Sequence, residues 1–285
     1  IVALRSESEN GGLSADSFKR LSPLPNAVMI TSGTQVPHTL PTTAGVLVVK
    51  SIHQAVIFLG RHARRLFTGK LVGVTGSAGK TTTVAMLKHA FNDSGHISAT
   101  RGNANLPYGV AWNLASMESG TDYMILEIAI GRMKESAVLA RPHVAVVTNI
   151  GSAHLEFHKT IETIAKRKAR IFWGLVDGGI AVINRDTECF DLILHEANKV
   201  KAVVITYGEH SESAVRLINI NDKDKEVEIQ VEGRIYTFGS KVLSKHHISN
   251  MLCTAAVAIA LGLPIDKTLK KLINFSPLPG RGEHF

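Results

Sequence analysis

Residues 75–82 read Thr-Gly-Ser-Ala-Gly-Lys-Thr-Thr, after the apolar run Leu71-Val72-Gly73-Val74 and before the helix-like stretch Val84-Ala85-Met86-Leu87-Lys88. Strand, glycine loop and helix in that order are what a nucleotide phosphate requires. Gly76 and Gly79 permit a turn tight enough to aim backbone N–H groups inward, and the following helix adds the positive end of its dipole. In this pattern Lys80 contacts the β- and γ-phosphates and the Thr81 hydroxyl holds a magnesium ion, with Ser77, Ala78 and Thr82 completing the cradle. The general phosphate-loop pattern has glycine five residues before Gly79, and here that position is Val74. A glycine turn before a helix that happens to carry a lysine is the alternative, and the order of the three elements argues against it.

Other polar residues stand where apolar runs end. Glu127 closes Met124-Ile125-Leu126, from where a carboxylate reaches a metal bound at Thr81. His154 follows the small-residue passage Thr148-Asn149-Ile150-Gly151-Ser152-Ala153, and Asn184 and Asp186 follow another apolar run. The run His154-Leu155-Glu156-Phe157-His158 places two histidines four apart, but a zinc protease needs glutamate directly after the first, and Leu155 is there.

These groups need a scaffold, and the chain supplies one. Apolar runs at 71–74, 123–128, 144–149, 180–184 and 202–206 alternate with helical patterns, which predicts an α/β fold with a mostly parallel sheet covered on both faces. Ligands bind such sheets at the carboxyl ends of the strands, where Thr75, Glu127, Thr148 and Asn184 fall. Between 214 and 238 the pattern changes to alternation broken by Asn221-Asp222-Lys223-Asp224-Lys225 and Glu232-Gly233, which predicts an antiparallel β appendage. Helices are expected at 54–66, about 247–261 and 265–274. Residues 1–66 read as a small partial α/β N-terminal domain with a connecting helix, 67–277 as the central ATP-binding domain, and 278–285 as the start of a linker.

Across 285 residues the chain is 45% hydrophobic and 20% charged, as expected of a globular protein. No apolar run approaches the roughly 20 residues of a membrane span. The first residue is Ile1 and no basic-then-apolar leader follows, so no signal peptide is expected. Two cysteines, Cys189 and Cys253, far apart in sequence, fit a reducing, cytoplasmic setting. The net charge of +8 favours anionic partners, yet the basic residues form no single tract interleaved with aromatics. Solvated helix faces account for most of that charge, and an ATP site with an acidic substrate for the rest.

Taken together, the loop at 75–82, Gly102-Asn103-Ala104-Asn105, Glu127, the passage from Pro142-His143 to His154-Leu155, Asn184-Arg185-Asp186, the segment His246 to Asn250 and Gly280-Arg281 resemble the Mur ligases in content and order. Within that family the serine after the first loop glycine is typical of the branch that adds D-alanyl-D-alanine. The resemblance covers about residues 46–285 and implies the central domain of an ATP-dependent carboxylate–amine ligase acting through an acyl phosphate. The implied partners are a UDP-MurNAc-peptide-like acidic substrate and an amino acid or dipeptide amine such as D-Ala-D-Ala, as in peptidoglycan synthesis. A C-terminal domain, absent from this sequence, is expected in the full-length protein.

By the same resemblance, Lys80 stabilises the phosphates, Thr81 and Glu127 hold one magnesium ion, and His154 ligates a second. Lys168 matches the lysine that the family carbamylates, with Lys166 as the alternative register; a carbamate turns a cation into an anionic oxygen ligand. Asn184, Asp186, His246, Asn250 and Arg281 are expected around the nucleotide, and Asn103 and Asn105 near substrate or phosphate. The sequence departs from the family at Asn105-Leu106-Pro107-Tyr108-Gly109, at Ile128-Ala129-Ile130-Gly131-Arg132, at His247 and at Arg170, where the family has glutamate. Such loop changes leave open a paralogue with another carboxylate–amine pair. A phosphate-loop ATPase without ligation and a nucleotide-binding module without catalysis are the other readings.

Overall fold

The computed structural model describes residues 2–4, 13–151 and 160–276. The larger sheet has nine strands: β4 (Lys70–Thr75), β5 (Ile97–Ala99), β6 (Tyr123–Glu127), β7 (Val144–Val147), β8 (Ile180–Asn184), β9 (Val203–Gly208), β10 (Val215–Asn221), β11 (Glu226–Val231) and β12 (Arg234–Gly239). Their order across the sheet is β12-β11-β10-β9-β8-β7-β4-β6-β5. From β5 to β10 neighbouring strands run parallel, and only β11 and β12 turn antiparallel. The alternating region predicted as an appendage is therefore an extension of the same sheet, joined where Val215 pairs with Tyr207.

Continuous apolar strands are explained by helices on both faces. Val72 and Val74 of β4, with Val144 and Val146 of β7, pack beneath α3 (Lys80–Ala90), α8 (Lys245–Ala260) and α9 (Ile265–Ile273). Leu71, Ala145 and Val147 face the other way, toward α2 (Ile52–Leu66), α4 (Pro107–Ala115), α5 (Met133–Ala140) and α6 (Ile161–Ala169). That face is completed by α7 (Phe190–Lys199). Successive residues of each strand thus enter opposite cores, so a polar residue fits only where the strand ends.

Before the large sheet stands a small one, β1 (Val2–Ala3), β2 (Ala27–Thr31) and β3 (Gly45–Val49), all parallel, with the short helix α1 (Ala15–Phe18). Its core is Leu4, Phe18, Val28 and Ile30. From β3 the chain enters α2, whose start is capped by Ser51, the hydroxyl accepting from the Gln54 N–H at 3.4 Å. Among the described residues no helix is long and apolar enough to cross a membrane.

Candidate active site

The carboxyl ends of β8, β7, β4 and β6 lie side by side, so Asn184, Thr148, the loop at 76–79 and Glu127 meet along one edge of the sheet. The loop makes its turn with Gly76 at φ 156° and Gly79 at φ 80°. A Cβ at Gly76 would overlap the Thr148 hydroxyl, and one at Gly79 would stand 2.5 Å from Asn250 Oδ1, so both positions exclude a side chain. The first intrahelical bond of α3 runs from the Thr83 N–H to the Gly79 carbonyl at 2.7 Å. The N–H groups of Thr81 and Thr82 therefore precede the intrahelical ladder at the helix start, as an anion site needs.

A neighbouring strand grips the loop. The Ser77 N–H donates to the Asn149 carbonyl at 3.0 Å and the Ala78 N–H to Asn149 Oδ1 at 2.8 Å. Thr148 Oγ1 donates to the Ala78 carbonyl at 2.7 Å, and the buried Tyr207 hydroxyl donates to the Thr148 carbonyl at 2.8 Å. Two of the loop N–H groups expected to point at phosphate are thus used to fix the loop. The helix start and the lysines remain the candidates for holding an anion.

Two lysines converge there. Lys80 Nζ donates to the Gly76 carbonyl at 2.9 Å, and Lys168 Nζ, from the last turn of α6, donates to the same oxygen at 2.8 Å. Lys168 is only 1% exposed. Burial, with a smaller contribution from the charge of Lys80, pulls its pKa down to about 7. Lys166 is exposed, so of the two registers it is Lys168 that faces the loop. Arg170 is also exposed, its guanidinium lying over the Trp173 ring at 5.5 Å.

Glu127, 7% exposed, uses both carboxylate oxygens. Oε2 accepts from Thr81 Oγ1 at 2.6 Å and Oε1 from Asn105 Nδ2 at 2.9 Å, while its own N–H donates to Thr100 Oγ1 at 2.8 Å. A hydroxyl and a carboxylate at the start of a helix form an oxygen donor set that suits magnesium, a cation that takes few protein ligands and fills its sphere with phosphate oxygens and water. Asn103 is exposed on the same loop as Asn105. Thr81, Glu127, Asn105, Lys80 and Lys168 all line one cleft of about 600 Å³.

On the other side of Gly79 lies a cavity of about 340 Å³, lined by Thr82, Thr148, His246, His247, Ser249 and Asn250 among others. Asn250 Oδ1 accepts from Thr83 Oγ1 at 3.3 Å, and Asn184 Nδ2 reaches Ser249 Oγ at 3.4 Å. His246 is exposed at the rim, whereas burial lowers the pKa of His247. The Asp186 carboxylate accepts the N–H groups of Glu209 at 2.7 Å and His210 at 3.1 Å, so it fastens the turn after β9. His154 and Arg281 lie outside the described residues. Sequence reasoning missed the Asn149 clamp, Thr100, Tyr207 and Ser249; of these only Asn149, a polar residue ending an apolar run, left a signal.

A family model described as the Mur ligase middle domain matches residues 74–258. The UDP-N-acetylmuramoyl-tripeptide–D-alanyl-D-alanine ligase of Rickettsia prowazekii is 28% identical over 244 residues, 84% of this chain and 54% of that protein. The ligase of the same name from Escherichia coli is 28% identical over 241 residues, 82% of this chain and 53% of its own length. Among solved structures, the MurF ligase of Thermotoga maritima in complex with ADP superimposes with a TM-score of 0.74 at 26% identity, covering 90% of this chain and 58% of that one. MurF from Acinetobacter baumannii shares the fold with a TM-score of 0.78 at 24% identity, covering 89% of this chain and 55% of that one. The chain spans about half the length of the curated relatives it matches.

Proposed function

The chain belongs to the Mur ligase family by its middle domain, and from that premise we propose that it carries the ATP site of an ADP-forming carboxylate–amine ligase. The substrates proposed are those in the names of its relatives, UDP-N-acetylmuramoyl-tripeptide and D-alanyl-D-alanine, which would place the reaction in peptidoglycan synthesis. In this reading residues 67–277 form the ATP-binding unit and residues 1–66 belong to a substrate-binding one.

One observation carries the ligase reading over a plain ATPase. Lys168 is buried, comes from a helix remote in sequence, and meets Lys80 at the Gly76 carbonyl. Phosphate binding by the loop and α3 does not require it. A buried amine of lowered pKa is the form that combines with carbon dioxide, and the resulting carbamate would supply an anionic oxygen for magnesium in the cleft.

Phosphorylating a carboxylate brings two anions together, so the site must neutralise charge and hold an oxygen in line with the γ-phosphate. The start of α3 and Lys80 would take the phosphates, and the cavity beside Asn250 and His246 the nucleoside. Thr81 and Glu127 would hold magnesium, which offsets phosphate charge when bound. Asn105 keeps the Glu127 carboxylate oriented. A carboxylate oxygen in the cleft attacks the γ-phosphorus and ADP leaves. The amine nitrogen then attacks the acyl carbon and gives up a proton, the bond from that carbon to the phosphate oxygen breaks, and the amide and inorganic phosphate result.

The test is ADP release by the full-length protein with MgATP, UDP-N-acetylmuramoyl-tripeptide and D-alanyl-D-alanine, omitting each in turn. Release that requires both organic substrates supports the reading, and release indifferent to the amine refutes it.

A further inference from the structure

We propose that the Thr75 hydroxyl is the hydrogen-bond donor that holds an anionic carbamate on Lys168, which makes Thr75 a positioning residue of the ATP site. The inference rests on the ligase reading, in which Lys168 carries that carbamate, and names the group that stabilises it.

Thr75 ends β4 directly before Gly76 and is 0% exposed. The strand fixes its direction. Leu71 packs in the core on the α6 side, and a Cβ at Gly73 would stand 3.5 Å from Ile171 Cδ1 in that same core. Thr75, two residues further on, faces the same way. Its partner across the sheet, Val147, lies in that core with Ile164 and Ala165 of α6. One helical turn beyond those two, Lys168 brings its Nζ to the Gly76 carbonyl at 2.8 Å. Hydroxyl and amine thus come from strand and helix to adjoining residues of the loop, in one buried region.

Among the described residues Thr75 Oγ1 has no hydrogen-bond partner. A buried hydroxyl without one is costly, and valine has the same shape without that cost. Stability of the fold therefore does not account for threonine at this position. Thr148, at the end of the neighbouring strand, shows the contrast: its buried hydroxyl donates to the Ala78 carbonyl at 2.7 Å.

A carbamate would give this hydroxyl its partner. Carbon dioxide adds to the unprotonated Lys168 amine, an N–C bond forms, and one proton leaves the nitrogen for solvent. The nitrogen keeps one hydrogen, which goes on donating to the Gly76 carbonyl, and the two new oxygens share a negative charge. Buried anionic oxygens need donors. In the ligase reading one of them serves magnesium, Thr81 is committed to the same ion, and Lys80 is committed to phosphate. Thr75 Oγ1 is the donor that remains for the other oxygen.

The test compares full-length wild type, Thr75→Val, Thr75→Ser and Lys168→Ala in two measurements: the carbamate carbon resonance during titration with ¹³C-labelled bicarbonate at fixed pH, and thermal denaturation in buffer free of carbon dioxide. Thr75→Val should need about tenfold more bicarbonate for half-maximal carbamate, the loss of one charge-assisted hydrogen bond. Thr75→Ser, which keeps the hydroxyl, should stay within about threefold of wild type. Thr75→Val should also melt at or above the wild-type temperature, since it removes an unpartnered hydroxyl and keeps the shape. An equal bicarbonate requirement in wild type and Thr75→Val overturns the inference and leaves the ligase reading standing. A lowered melting temperature in Thr75→Val, with Thr75→Ser equally impaired in carbamate, marks a merely structural residue and overturns it too. Wild type without a resonance that Lys168→Ala lacks overturns the inference together with the carbamate.

Discussion

Lys80 and Lys168 donate to a single oxygen, the Gly76 carbonyl, at 2.9 and 2.8 Å. Two amines share one neutral acceptor, and burial together with the charge of Lys80 makes the protonated form of Lys168 costly. The pair thus sets a neutral amine, Lys168, beside a cationic one, Lys80, at the loop where a triphosphate would bind.

With its pKa near 7, Lys168 should be substantially neutral at pH 8 and protonated well below pH 7. Carbon dioxide adds only to the neutral amine, so a carbamate carbon resonance should appear with labelled bicarbonate at pH 8, fade as pH falls below about 7, and be absent from Lys168→Ala. That variant should ligate at least about tenfold more slowly, as for loss of a group that orients a metal. Short carboxylates should partly rescue it, and full activity without them would exclude the carbamate.

Lys80→Ala removes a charge-assisted phosphate contact, worth about 1.5–3 kcal/mol. ATP affinity should fall by roughly tenfold to a hundredfold, as measured by titration with a fluorescent ATP analogue. Equal affinity in the variant would refute the assignment of the loop.

Asn105→Ala frees Glu127 Oε1 from its 2.9 Å bond while leaving the Thr81 contact. The magnesium concentration for half-maximal ADP release should rise about tenfold. Asn103→Ala, on the exposed part of the same loop, should leave the magnesium requirement unchanged; a matching rise there would show that the whole loop, not Asn105, sets it.

His143 sits at the opposite end of the sheet, its Nδ1 accepting the Leu71 N–H at 2.9 Å. Burial first, then the charges of Arg64, Lys70 and Arg141, lower its pKa to about 4. The folded state thus binds fewer protons than the unfolded state between about pH 4 and 6.5. The His143 contribution is full above pH 6.5 and is lost as pH falls through that window. In His143→Gln, denaturation midpoints should decline less between pH 6.5 and 4 than in wild type; parallel declines would contradict the assignment.

The loop, its helix and the parallel strands were legible because each rests on local chemistry: Gly76 and Gly79, the Lys80-Thr81 pair, and apolar runs long enough for two covered faces. β5 was not legible, since Ile97-Ser98-Ala99 is short, only half-buried and at the sheet edge. Nor was the union of β10 with β9, because pairing between strands leaves no mark in either. Within the site, Glu127 could be placed by its strand end. Its partners Asn105 and Thr100, and the Asn149 clamp, depend on which loops the sheet order brings together. The same holds for Lys168, one of several cations in Lys166-Arg167-Lys168-Ala169-Arg170 until α6 turns it inward while Lys166 faces out.

The most direct test of the central claim is to follow oxygen. UDP-N-acetylmuramoyl-tripeptide labelled with ¹⁸O in its reacting carboxylate is incubated with the full-length protein, MgATP and D-alanyl-D-alanine, and the inorganic phosphate is analysed by mass. Transfer of one labelled oxygen to each phosphate is the expected result, since the carboxylate oxygen that attacks the γ-phosphorus leaves with it. Amide formation with unlabelled phosphate would contradict an acyl phosphate formed in this cleft.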